Sequence, residues 1–596
     1  MKPLVATASV LSACALLWLA PAMVNCASAA STPEAPGDAA LATLANDYFD
    51  HYYFPANPTA ATTAGIHRHD GQLEDYSRAG VEHAIRALRR YRRRFEAVPA
   101  SGLSERSQGD RELLISSIRS SLLTLETIRP WQKDPDSYSS GITASAFVIM
   151  ERNFALPDQR LRRLIEREQL MPAALQAAHA NLLNPPEIYT RIAIEQLPDD
   201  ISFFQTDLPA AFSGVDDAAL HARFNAANAS TIAALKSYQR WLQRQVLPRS
   251  HGNFRIGART FSAKLLYDEM VDTPLDRLLE IGMADLRRNQ QQFGRVAHEL
   301  DPDKSAQQVL AELAADHPEP RALLDAFRAN LDGLVAFITQ HHIITIPSDV
   351  RPTLEETPPF MRATTFASMD TPGPYETVAH EAYFNVTLPD PGWDRQHTEG
   401  FMAQFNFPVI SNVVVHEAYP GHYVQFLWMQ RIDDRVRKLI GASSNSEGWA
   451  HYCEQMMLDE GYGQPGADAS AADERQAKWL RLGQLQDALL RNARFIVGIR
   501  MHTGQMSMAQ AIDFFVTEGY QSREVGEVET KRGTSDPTYL YYTLGKLQIQ
   551  KLRADLQARE GADFNLQRFH DDFMQQGFPP IKLVRRALMH DDSPTL

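Results

Sequence analysis

Along residues 39–337 apolar positions recur at the three-and-four spacing of buried helix faces, with Leu, Ala, Arg and Glu dominating. Ile85, Leu88, Tyr91 and Phe95 make one such stripe. Arg89, Arg90, Arg92, Arg93 and Arg94 occupy the rest of that helix and read as its solvated face. Between 343 and 391 the pattern changes to prolines and short β-branched runs. Ile343-Ile344-Thr345-Ile346 stops at Pro347, and Tyr383-Phe384-Asn385-Val386-Thr387-Leu388 stops at Pro389, which predicts short strands. The second run is the candidate for an edge strand that lines a cleft and holds an extended peptide, with Asn385 as a substrate contact; a plain structural hairpin fits it equally. Helical spacing then returns over 472–497, 509–517 and 542–559, the last with Leu547, Leu552 and Leu556 among its buried residues. The pattern predicts a mainly α chain with a small sheet, divided into an N-terminal helical half, 30–340, and a second half, 341–596.

The candidate chemistry sits where an apolar run meets a polar one. Val413-Val414-Val415 leads into His416-Glu417-Ala418-Tyr419-Pro420-Gly421-His422. A zinc peptidase helix usually carries H-E-x-x-H, with both imidazoles on one face and the glutamate as general base. Here the second histidine is six residues on. On a regular helix that is about 120° around and about 9 Å along, too far for a shared ion. Pro420 removes the bond to the His416 carbonyl and Gly421 admits unusual dihedrals, so a local break can absorb the extra residues. Downstream, the polar cluster Ser443-Ser444-Asn445-Ser446 caps a helix on which Glu447, His451 and Glu454 share a face. This yields His416, His422 and Glu447 as metal ligands and Glu417 as base. His451 and Glu454 remain open as alternative ligands or as supports behind the ligands.

His-Glu-Ala-Tyr-Pro-Gly-His followed by Glu-Gly-Trp-Ala-His-Tyr-x-Glu resembles the bacterial DUF885 family, which is similar to the gluzincin metallopeptidases. Asn57-Pro58-Thr59-Ala60-Ala61 with Gly65-Ile66-His67 resembles the family's start, and Arg532-Gly533-Thr534 with 536–547 its end. The resemblance implies a cleft-forming zincin-like fold with one Zn2+ per chain. It also implies a donor for a developing oxyanion, Tyr542 or else His502. Arg494, Arg532 and Lys546 are cations that could hold a peptide carboxylate, as carboxypeptidase-like action would need, with a plain salt-bridge role as the alternative for each. The expected function is zinc-dependent hydrolysis of short peptides. The alternatives are hydrolysis of a non-peptide amide or ester, and a catalytically silent helical binding protein.

Composition narrows the setting. A net charge of −14 over 596 residues argues against a nucleic-acid partner. No segment after the leader is long and apolar enough to span a membrane. Lys2, the apolar run 4–22 and Ala27-Ser28-Ala29 read as a signal peptide, 1–29, so a periplasmic or secreted protein is expected. Leu11-Ser12-Ala13-Cys14 is the competing reading, a lipid anchor at Cys14. Cys453 would then be the one cysteine of the mature chain, packed in the core.

Overall fold

The computed structural model describes residues 35–358, 361–362, 365–466 and 470–596. The signal segment, with Cys14, lies outside them. The chain is mainly helical with one small sheet. Seven helices and three strands position the site: α1 (Asp136–Glu151), β1 (Thr353–Glu356), β2 (Ala367–Asp370), β3 (Tyr383–Val386), α2 (Phe407–Glu417), α3 (His422–Met429), α4 (Ser443–Asp459), α5 (Ala471–His502), α6 (Arg523–Ser535) and α7 (Tyr541–Glu560). Among the described residues no helix is long and apolar enough to cross a membrane.

The strand order is β1-β3-β2. β3 pairs parallel to β1 (Tyr383 with Thr353) and antiparallel to β2 (Val386 with Ala367). The expected edge strand is therefore the centre of the sheet. Phe384, Asn385 and Val386 are all buried, the near-continuous burial of a strand covered on both faces. β2 is the edge that borders the cleft, and its Ala-Ser-Met-Asp sequence carries too little β-branched or aromatic character to announce a strand.

The two halves share cores. Leu41, Phe49 and Ile118 pack with Val436, Ile440 and Leu583. Phe261, Leu265 and Leu278 pack with Phe495, Ile499, Leu540 and Leu544. The helix α5 runs through this contact, and nearly every residue from Leu482 to His502 is buried. It extends beyond the predicted 472–497, and α6 follows where no helix was expected. In α7 Leu552 and Leu556 are buried, Leu547 only partly. Cys453 is a buried free thiol.

The helices α4 and α7 cross where Gly448 faces Gly545. A Cβ on Gly545 would lie 1.8 Å from the Ser444 carbonyl oxygen, and one on Gly448 would lie 2.4 Å from the Gly545 Cα. Backbone cannot yield at that distance, so the crossing demands glycine on both sides. Gly545→Ala should lower stability by at least the ~1–3 kcal/mol of an overpacked core, read as a drop in melting temperature. An unchanged melting temperature would mean that the two helices can slide apart freely.

Candidate metal centre

The motif helix breaks as its spacing requires. Asn406 caps the start of α2, accepting from Val409 N at 3.0 Å, and the helix ends at Glu417. After four intervening residues α3 starts at His422. Gly421 N donates to Val415 O at 3.1 Å, and a Cβ there would sit 1.8 Å from the His416 carbonyl oxygen. Only glycine permits that approach, which folds the chain back so that the two imidazoles meet. Their ring centres are 4.9 Å apart and perpendicular at 89°.

The helix α4 brings Glu447 between them. Glu447 Oε2 lies 3.5 Å from His416 Nε2 and 3.2 Å from His422 Nε2. The donor atoms of His416, Glu417 and His422 lie within 4.8 Å of one another. Glu454, two turns along α4, stands behind His416 and accepts its Nδ1–H at 2.6 Å. The same carboxylate accepts from His451 Nδ1 at 3.0 Å and pairs with Arg491 Nη2 at 3.3 Å. His451 thus lies behind Glu454, and His422 is the second imidazole at the convergence point. Arg491 is held in turn by Asp487 at 2.8 Å, and Asp487 accepts from Asn412 Nδ2 at 2.6 Å.

The electrostatics call for positive charge at the centre. With Nδ1 of neutral His416 given to Glu454, its Nε2 is a lone pair facing the Glu447 oxygen. Burial opposes charging His416, yet the bonds to Glu447 and Glu454 outweigh it and raise its pKa to about 9. Burial likewise opposes ionising Glu447, but His422 and His416 hold it well below the carboxylate range. A proton or a metal ion must sit among these atoms. Metal–ligand bonds of 2.0–2.1 Å in a tetrahedron put neighbouring ligands about 3.3 Å apart, and the 3.5 and 3.2 Å separations match that edge. A carboxylate on the far nitrogen of a ligating histidine is the usual support of such a ligand. His416, His422 and Glu447 therefore fit a divalent cation.

These groups line a cavity of about 580 Å³ that β2 borders. Glu417 is 8% exposed there, and burial foremost raises its pKa, with His422 and His416 acting against it. Tyr542, at the start of α7, lies against His416 with ring centres 6.2 Å apart and planes 25° from parallel. Its hydroxyl accepts from Arg532 Nη2 at 3.0 Å, and burial raises its pKa, so it keeps its proton near neutrality.

The other expected residues divide. Arg494 lines the cavity but is locked to Glu529 by bonds of 2.6 and 2.7 Å. Arg532 lines the cavity beside Tyr542. Asn385 lines a second cavity, about 500 Å³, which shares Ser368, Met369 and Arg532 with the first. Two residues are away from both cavities. Burial lowers the pKa of His502 to about 4, and its Nε2–H donates to Gly533 O at 2.7 Å, which leaves Tyr542 as the hydroxyl at the centre. Lys546 faces Asp285 at 3.4 Å in the core. Asn412, Asp487 and Arg491 had no place in the sequence reading. Their signal was polar residues within apolar helix stretches, Asp487 and Arg491 at an i, i+4 spacing.

The DUF885 profile, described as a bacterial protein of unknown function, matches residues 58–588. Among curated proteins none matches significantly. A solved protein from Shewanella oneidensis, provisionally called a lipoprotein of unknown function, is 26% identical. It superposes with a TM-score of 0.75 over 92% of this chain and 99% of its own. A second, from Colwellia psychrerythraea and also provisionally called a lipoprotein, is 16% identical. It has a TM-score of 0.77 over 93% and 99% of the two chains and shares the fold.

Proposed function

From a chain that belongs to the DUF885 family, we propose a metal-dependent peptidase, zinc being the ion, that cleaves short peptides. The observation that carries the reading is Glu447 Oε2 set 3.5 Å from His416 Nε2 and 3.2 Å from His422 Nε2, two separations that match the edge of a tetrahedral ligand set, with Glu454 behind His416. Zinc held there would supply a Lewis acid for a carbonyl oxygen and water acidified to a pKa near ~7. Glu417 borders the same space and takes up the proton of the attacking water on its carboxylate, then returns it to the leaving amine. The Tyr542 hydroxyl lines the cavity and accepts from Arg532, which leaves its own proton available to donate to the oxygen that gains charge. β2 offers the edge along which an extended substrate lies, independent of its side chains.

Metal analysis of purified protein should find about one zinc per chain, held by a site with three protein ligands and one open position. A panel of short peptides beside small amides and esters then fixes the substrate class. Protein that takes up no divalent metal at this site would overturn the reading, and turnover of esters alone would replace peptidase by esterase. The lipoprotein description of both structural neighbours supports export and speaks for the Leu11-Ser12-Ala13-Cys14 box as an anchor. The mass of the mature N-terminus separates a lipidated Cys14 from cleavage after Ala29.

A further inference from the structure

Four cations stand near the centre, each with a carboxylate partner, and Arg532 is held most loosely. Arg491 is tied to Asp487 and Glu454, and Arg494 is chelated by Glu529. Lys531 binds both oxygens of Glu195 at 3.0 and 2.9 Å. Arg532 differs. Its Nη2 reaches the hydroxyls of Tyr542 at 3.0 Å and Tyr541 at 3.4 Å, and its nearest carboxylate oxygen, Asp536 Oδ2, is 3.5 Å off and already accepts from Tyr541. Nε and Nη1 make no hydrogen bond among the described residues. The side chain is 25% exposed and lines both the metal cavity and the second cavity. Nε and Nη1 lie on different edges of the guanidinium, so each can offer a single charge-assisted N–H to a carboxylate in the cavity.

We infer that Arg532 is the receptor for the free C-terminal carboxylate of the substrate, which makes the protein a carboxypeptidase-type exopeptidase. The inference rests on the peptidase reading above. Placement sets the length of the piece released. Arg532 is one hydrogen bond from Tyr542, and Tyr542 stands at the scissile carbonyl. A charge-assisted bond of about 2.8 Å from Nε or Nη1 then puts the terminal carboxylate about one or two extended residues away, at ~3.3–3.6 Å each. The products are a single amino acid or a dipeptide. Cleavage divides water between the products: its oxygen stays on the new carboxylate and its two protons pass to the leaving amine, which departs as an ammonium.

The test compares one N-acetylated tripeptide as free acid and as C-terminal amide, on zinc-loaded wild type and on Arg532→Gln. Wild type should favour the acid by roughly ten- to hundredfold in kcat/KM, as a lost charge-assisted bond implies, and release one or two C-terminal residues. Arg532→Gln should bring the acid-to-amide ratio to about one. The ratio cancels any common loss from a loosened Tyr542. Arg532→Lys, which keeps the charge but not the planar set of donors, should retain part of the preference. Binding gives a readout without turnover: Glu417→Gln protein should bind the acid more tightly than the amide. Equal cleavage of acid and amide by wild type, or a preference that survives in Arg532→Gln, overturns the inference alone. Failure to cleave either peptide overturns the peptidase reading and this inference with it.

Discussion

Glu417→Gln is expected to keep its zinc and its melting temperature and to lose turnover by roughly 10²–10⁴-fold, the usual size of a lost general base. Glutamine matches glutamate in size and can still hydrogen-bond a water, but it cannot take the proton. Glu417 is nearly buried, and His416, its neighbour on α2, is held from behind by Glu454 rather than by Glu417. The substitution should therefore leave the ligand triangle in place. Metal content, unfolding and peptide hydrolysis measured on one preparation give three independent readouts. A metallated variant that hydrolyses peptides at the normal rate would remove Glu417 from the mechanism. Lost stability with full activity per folded molecule would make it structural.

The second large effect concerns the metal itself. His416→Ala, His422→Ala and Glu447→Ala should each abolish stoichiometric zinc, since each removes one corner of the triangle. His451→Ala should not. His451 reaches only Glu454, and burial depresses its pKa to about 4, so it acts as a neutral donor behind a support. Its loss should weaken zinc by about the 10–100-fold typical of a perturbed outer partner, while near-stoichiometric zinc remains at saturating metal. Zinc lost from His451→Ala but retained in His422→Ala would reverse the assignment of the second imidazole.

Much of the architecture was legible along the chain. The helical stripe of Ile85, Leu88, Tyr91 and Phe95 puts Leu88, Tyr91 and Phe95 in the core, because a 3.6-residue period reports which face is buried whatever it packs against. The interruption at Pro420 and Gly421 was equally readable. Proline and glycine act on their own backbone, and here the helix stops before them and restarts after. Strand order was not readable. The run 383–388 looked like any strand, but whether it lies at an edge depends on β1 and β2, which pair with it from 27 or more residues before the run in one case and 13 or more in the other.

The same division applies to the candidate site. The sequence by itself determined the kinds of donor available: two imidazoles separated by a helix break, and a glutamate on a later capped helix. Those are local properties of residue type and spacing. Tertiary structure decided which of them meet. The contact of Gly448 with Gly545 sets how closely α7 lies on α4, and thus where Tyr542 stands relative to His416 and Glu447. The buried chain from Asn412 through Asp487 and Arg491 to Glu454 fixes the ring of His416. Folding buried Lys546 against Asp285 and chelated Arg494 with Glu529, whereas Arg532, paired with Asp536, still lines the cavity, since what a charge can reach depends on where folding places it and its partner.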